Sequence, residues 1–130
     1  MSKGKILIID DDPQTVKLIK FVLEKDHYST ISAKDGEEGL RMARKRKPDL
    51  IVLDLMLPEI DGYQVCETLK TDSNTKEIPI IVLTALDTGP DFEKALEKKA
   101  DWYITKPFDS QHLLKRVNYL IEKRKEDEKK

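Results

Sequence analysis

The chain has 130 residues, with 24 basic against 25 acidic side chains and a net charge of -1. That length builds one ordinary hydrophobic core, and the charge balance excludes a general binder of nucleic acid or anionic membrane, which would be basic. A single cysteine, Cys66, and two histidines, His27 and His112, exclude a disulfide framework and a Cys/His zinc cluster. No apolar run approaches the roughly 20 residues of a membrane span. The stretch from Met1 to Lys5 carries no signal-peptide core, so a soluble cytoplasmic protein is expected.

Residues 5–9 read as a buried strand that ends in Asp10-Asp11-Asp12. Asp12-Pro13 then offers a cap followed by Pro at the first helical position, with Val16, Ile19 and Leu23 as an apolar stripe. Residues 28–32 form a second strand, and Asp35-Gly36-Glu37-Glu38 resembles a capping box with Leu40 and Ala43 behind it. Residues 50–53 form a third strand ending in Asp54, and Asp61 caps a helix carrying Val65 and Leu69. Residues 80–83 form a fourth strand ending in Thr84-Ala85, and Pro90 opens a helix with Phe92, Ala95 and Leu96 at helical spacing. Residues 102–105 form the last strand, ending in Lys106-Pro107. Asp109 caps a final helix carrying Leu113, Leu114, Val117, Leu120 and Ile121, with Phe108 and Leu113 at the two positions of a hydrophobic staple.

Five repeats of strand and helix predict an open parallel sheet with helices on both faces. In such a sheet ligands bind outside the carboxyl ends of the strands. The residues that follow the apolar runs are therefore the candidates for chemistry: Asp10, Asp11, Asp54, Thr84 and Lys106. Asp12 needs no role beyond its cap. Each pair of carboxylates held about 4 Å apart repels by roughly 4 kcal/mol at an effective dielectric near 20. A divalent cation removes that cost, and an oxygen-only donor set selects Mg²⁺, or Mn²⁺, over softer metals. Mg²⁺ recruits phosphate oxygens, so the pattern points to phosphoryl transfer.

Four segments carry a family resemblance: Ile6-Leu-Ile-Ile-Asp-Asp-Asp-Pro13, Pro48-Asp-Leu-Ile-Val-Leu-Asp-Leu-Met-Leu-Pro-Glu-Ile-Asp-Gly62, Pro79-Ile-Ile-Val-Leu-Thr-Ala85 and Tyr103-Ile-Thr-Lys-Pro-Phe108. Together they resemble the CheY-like receiver domain of two-component response regulators. The resemblance implies a flavodoxin-like (βα)5 three-layer sandwich whose five-stranded parallel sheet has the order 2-1-3-4-5. It also implies roles. Asp54 matches the phosphoacceptor. Asp10 and Asp11, with the backbone carbonyl of Met56 and Asp54 itself, match the ligands of Mg²⁺. Thr84 matches the switch hydroxyl, Lys106 the cation that pairs with the phosphoryl group, and Tyr103 the switch aromatic. Lys106-Pro107 matches a peptide bond that is usually cis. The implied function is a phosphorylation-dependent signalling switch that takes its phosphoryl group from a phosphohistidine on a sensor histidine kinase or phosphotransfer protein. It would assist its own phosphorylation and dephosphorylation without turning over an external substrate. Neither nucleic acid nor membrane is an expected direct partner.

Residues 1–122 are expected to form the receiver and residues 123–130 a charged tail or the start of a linker. No output domain is legible after the last helix, so the resemblance implies either a stand-alone receiver acting on a protein target or the receiver of a longer regulator. The chain departs from the family at Lys99-Ala100, where Gly-Ala is common, and at bulky Trp102, read as local packing rather than a partner contact. Cys66 is expected in the core, and His27 and His112 on the surface. A metal-dependent aspartyl phosphatase would need a second Asp at the position of Met56. A flavodoxin-type electron carrier would not place three carboxylates against the phosphate of FMN. A calcium loop starting at Asp10 fails because its sixth and twelfth positions are Thr15 and Phe21.

Overall fold

All five predicted strands form; the three central ones, apolar at almost every position, are buried on both faces inside a sheet covered by helices, whereas the two edge strands are only partly buried. A computed structural model of the chain describes residues 2–57, 61–84 and 100–129. In chain order the elements are β1 (Lys5–Ile9), α1 (Pro13–Lys25), β2 (Ser29–Ala33), α2 (Gly36–Arg46), β3 (Leu50–Asp54), α3 (Gly62–Thr71), β4 (Ile80–Thr84), β5 (Trp102–Thr105) and α4 (Ser110–Glu128). The sheet is parallel throughout, with the order β2-β1-β3-β4-β5. This is the flavodoxin-like order. The helix predicted from Pro90 and the question raised by Lys99 lie outside the described residues.

The two-residue period of the strands sorts their side chains into two cores. Leu7, Ile9, Ile51, Leu53, Ile80 and Val82 face α2 and α3 and meet Ala43, Val65 and Leu69. Ile6, Ile8, Leu50, Val52, Ile81 and Leu83 face α1 and α4 and meet Ile19, Leu23, Leu113 and Val117. Helices on both faces complete the three layers. Among the described residues, no helix is long and apolar enough to cross a membrane.

The caps form where the sequence places them. Asp12, Asp35, Asp61 and Asp109 each accept a backbone N–H from the first turn of α1, α2, α3 and α4. Phe108 and Leu113 share one apolar cluster, as a staple requires. Four strand boundaries differ from the expectation, one of them the end of the second strand, which runs to Ala33. The second strand starts at Ser29, one residue late, because the Tyr28 N–H is taken by Leu23 O at the end of α1 (3.1 Å). His27 makes that reversal with φ of 73°, and the Tyr28 ring drops into the core rather than the ladder. The third and fourth strands run one residue further, so Asp54 and Thr84 belong to the ladder itself and inherit its rigidity.

From Glu122 onward the helix continues to Glu128, held to the body by Arg124, which donates to Asp49 O (3.0 Å). Trp102 is half-buried under the guanidinium of Arg116, 3.7 Å from its ring centroid. Cys66 is buried, and burial pushes its thiol up to about 11, so it stays protonated and unreactive at neutral pH. His27 and His112 are exposed.

Candidate functional site

The parallel register brings the ends of β1, β3, β4 and β5 to one edge. Ile9 lies beside Leu53, Asp54 beside Leu83, and Thr84 beside Thr105. Asp10 just after β1, Asp54 and Thr84 as the last residues of β3 and β4, and Lys106 just after β5 therefore come to the same edge, although they lie in distant parts of the chain.

Asp10 follows β1 and is buried. Its Oδ1 accepts the Asp12 N–H at 2.9 Å. Its Oδ2 is buried without a hydrogen-bond partner. The Lys106 ammonium is 3.5 Å from that oxygen, which is a long ion pair rather than a hydrogen bond. Asp54 closes β3, also buried, and both its oxygens are engaged. Oδ1 accepts the Met56 N–H at 2.9 Å, and Oδ2 accepts the Lys106 ammonium at 2.9 Å. Lys106 is positioned through its own backbone, since its N–H donates to Thr84 O at 2.7 Å. The Lys106-Pro107 bond is cis. Asp11 is exposed at the rim.

Carboxylate oxygens of Asp10, Asp11 and Asp54 lie within 4.8 Å of one another. Burial is the main force on Asp10, and with the charge of Asp54 beside it, it raises that carboxyl to about 6. The Asp12 N–H and the Lys106 charge oppose the rise without cancelling it. Burial also works against the charge of Lys106. The hydrogen bond and charge of Asp54, with Asp10 adding, outweigh it and hold the ammonium above its ordinary range.

These residues fit a hard divalent cation. The donors are all oxygen, three carboxylates have one ammonium to offset them, and one buried carboxylate oxygen has no hydrogen bond to give up. A neutral or anionic ligand would leave that charge imbalance in place.

The structure brings Asp10, Asp11, Asp54 and Lys106 together and puts Thr84, fully buried, at the end of the adjacent strand. Met56 lies two residues beyond Asp54; it is 57% exposed and its N–H is turned to Asp54. Tyr103 stands apart. It is half-buried on β5, paired with Val82, and packs against the α2/α3 core. Asp12 stays out of the acidic cluster, as a cap: its Oδ2 accepts the Thr15 hydroxyl (2.7 Å) and its Oδ1 the Gln14 N–H. Those bonds, the Thr15 hydroxyl first, hold its pKa low. Its N–H, however, is part of the site, because it fixes Asp10. Sequence reading gives Asp12 only the cap, since a backbone donor leaves no signature in residue type.

The chain matches the family model described as "Response regulator receiver domain" over residues 6–118. It is 45% identical over 117 residues to the DNA-binding dual master transcriptional regulator RpaA of Synechocystis sp., a match covering 90% of this chain and 48% of that protein. It is 44% identical over 117 residues to the alkaline phosphatase synthesis transcriptional regulatory protein PhoP of Bacillus subtilis, again covering 90% and 48%. The chain thus spans about half the length of these curated relatives. Among solved structures it is similar to a CheY-like response regulator receiver domain protein from Methanospirillum hungatei, with TM-score 0.88 and 25% identity over 95% of this chain and 97% of that one.

Proposed function

The chain belongs to the response regulator receiver family and is a signalling domain of two-component systems, and from that premise we propose that Asp54 is its phosphoacceptor. The observation that carries the reading is the convergence of Asp10, Asp11 and Asp54, with the Lys106 ammonium against Asp54 and Asp10 and with Asp10 Oδ2 left without a hydrogen bond.

Asp54 is held for attack from both sides. The Met56 N–H fixes one oxygen and Lys106 the other, so the carboxylate loses little rotational freedom on reaction. An Asp54 oxygen forms the new bond to phosphorus as the bond from phosphorus to the donor imidazole nitrogen breaks. Lys106 exchanges its contact with Asp54 for one with the transferred oxygens and stabilises their charge. Asp10, Asp11, Asp54 and the Met56 backbone carbonyl would hold Mg²⁺, or Mn²⁺ in its place. When bound, the cation neutralises charge on the phosphoryl oxygens. The phosphodonor would be a histidine kinase or phosphotransfer protein. The domain assists gain and loss of its own phosphoryl group and has no external substrate to turn over. Its natural setting would be the cytoplasm, where such donors present their phosphohistidine.

Thr84 and Tyr103 would carry the signal. Once Asp54 is phosphorylated, the Thr84 hydroxyl bonds a phosphoryl oxygen, and the Tyr103 ring repacks on the core face it already touches. The phosphoryl group shifts this equilibrium only by its different contacts in the two states. The output is binding of a protein target, or control of an attached output domain.

The test is incubation with Mg²⁺ and acetyl phosphate, followed by mapping of the modified residue by mass spectrometry. One phosphoryl group on Asp54, lost in Asp54→Ala, is the expected result. An unchanged mass, or label that survives the substitution, overturns the assignment. Thr84→Ala should still accept the group while weakening the NMR response at Tyr103 to beryllofluoride; an undiminished Tyr103 response removes Thr84 from the switch.

A further inference from the structure

The end of β3 and the turn that follows Asp54 rest directly on the first residue of α3. A Cβ built on Gly62 would stand 2.5 Å from Leu55 Cα, 2.8 Å from Asp54 O and 2.8 Å from Leu55 O. All three are backbone atoms, so no rotamer change relieves the contact. Gly39 makes an instructive contrast. It is also buried in a helix against the sheet, but the atoms nearest a Cβ there belong to the side chain of Ile9, the closest at 2.6 Å.

Neither partner of the Gly62 contact is free to withdraw. The turn is tied to β4, since the Leu55 N–H donates to Leu83 O at 3.0 Å. The helix is pinned at its start by Asp61, whose Oδ1 accepts the Tyr63 N–H. It is pinned along its length by buried Tyr63, Val65, Cys66 and Leu69. Near its end, Lys70 binds Asp101 at 2.7 Å and Ile78 O at 2.8 Å. An added methyl group would therefore press on the backbone of Asp54 and Leu55. That backbone leads directly into Met56, whose N–H donates to Asp54 Oδ1.

We infer that Gly62 is a positioning residue for phosphoryl transfer, its bare Cα letting the chain after β3 settle against α3 so that Asp54 stays in the acidic cluster with its Oδ1 held by the Met56 N–H. The inference rests on Asp54 being the acceptor. A shift approaching 1 Å in such a group costs up to about a hundredfold in rate, whereas a purely structural glycine would lower stability and leave the folded site unchanged.

The experiment compares Gly62→Ala with Gly39→Ala in the full chain, at a temperature where circular dichroism shows both folded. Mg²⁺ affinity is read by calorimetry and the acetyl phosphate reaction by mass spectrometry. Gly62→Ala should weaken Mg²⁺ binding several-fold and slow phosphorylation about tenfold or more. Gly39→Ala should lower the melting temperature with both values near wild type. Equal Mg²⁺ affinity and rate in Gly62→Ala and wild type would overturn the inference. An unphosphorylated wild type would instead overturn the assignment of Asp54. Should Gly62→Ala not fold, the wild type decides. Its Gly62 Cα resonance should move through a Mg²⁺ titration with the same dissociation constant as the Leu55 and Met56 amides, while Gly39 stays still. A Gly62 resonance indifferent to Mg²⁺ would sink the proposal.

Discussion

Two lysine–carboxylate clusters sit at opposite ends of the strands and are built to opposite specifications. At the amino end of β4, the ammonium of Lys70 meets Asp101 at 2.7 Å and Ile78 O at 2.8 Å, and the same Asp101 oxygen accepts the Ile80 N–H at 2.8 Å. One cation faces one anion, and their contacts tie α3, β4 and the start of β5 together. At the carboxyl end, Lys106 is shared between Asp54 at 2.9 Å and Asp10 at 3.5 Å, with Asp11 near both. There the negative charge exceeds the positive, and a buried oxygen of Asp10 goes without a hydrogen bond. The first cluster is balanced and ties elements of the fold together. The second carries an excess of negative charge, which suits it to a divalent cation.

The contrast can be broken at either end. The largest expected effect is at Asp10 in metal-free protein. Its carboxyl titrates at about 6 in the folded state against 3.8 in the reference state. Between those values the folded protein binds the extra proton, so the contribution of Asp10 to stability falls as pH rises through that window. The loss is complete above pH 6 and absent below 3.8, and amounts to on the order of 3 kcal/mol. Asp10→Asn should therefore be the more stable protein at pH 7 in EDTA, with the advantage shrinking toward pH 4. Urea unfolding of both proteins across this range is the check, and a constant difference would refute the account.

Next in size is the response to metal. Mg²⁺ at a hundredfold excess over its dissociation constant should stabilise the protein by about 2.7 kcal/mol. Asp11→Asn should lose most of that gain, as read by thermal unfolding with and without Mg²⁺. A melting curve that ignores Mg²⁺ would mean that the excess charge at the acidic edge does not draw a cation.

Lys70→Met should show the smaller and complementary effect. It removes the cation of the balanced cluster and leaves Asp101 with the Ile80 N–H, at a cost of about 1–2 kcal/mol, since Asp101 is a third exposed and partly rehydrates. The Mg²⁺ increment should be the same as in wild type. A Lys70→Met protein with altered Mg²⁺ binding would show that the two ends are coupled through α3, and would sharpen the case for Gly62 as the contact that couples them.

Much of this protein is decided within short windows of sequence. The five apolar runs, the four Asp caps on described helices and the Phe108–Leu113 staple each depend on residues a few positions apart, and local periodicity and capping chemistry encode them. The strand ends are likewise local, so Asp10, Asp54, Thr84 and Lys106 can be picked out as candidates before any distance is known. Tertiary structure decides what depends on register and on contact between distant segments. Tyr28 leaves its strand because the end of α1 takes its N–H. Lys106 reaches Asp54 across 52 residues because β3, β4 and β5 pair in parallel with their ends level. Asp10 Oδ2 lacks a hydrogen bond because the Lys106 ammonium lies closer to Asp54. Gly62 matters because α3 touches the turn after β3 backbone to backbone, and a residue with no side chain announces nothing about what lies against it. Residue type and spacing carry the first kind of information, and only the packed chain, in which non-sequential strands set the distances, carries the second.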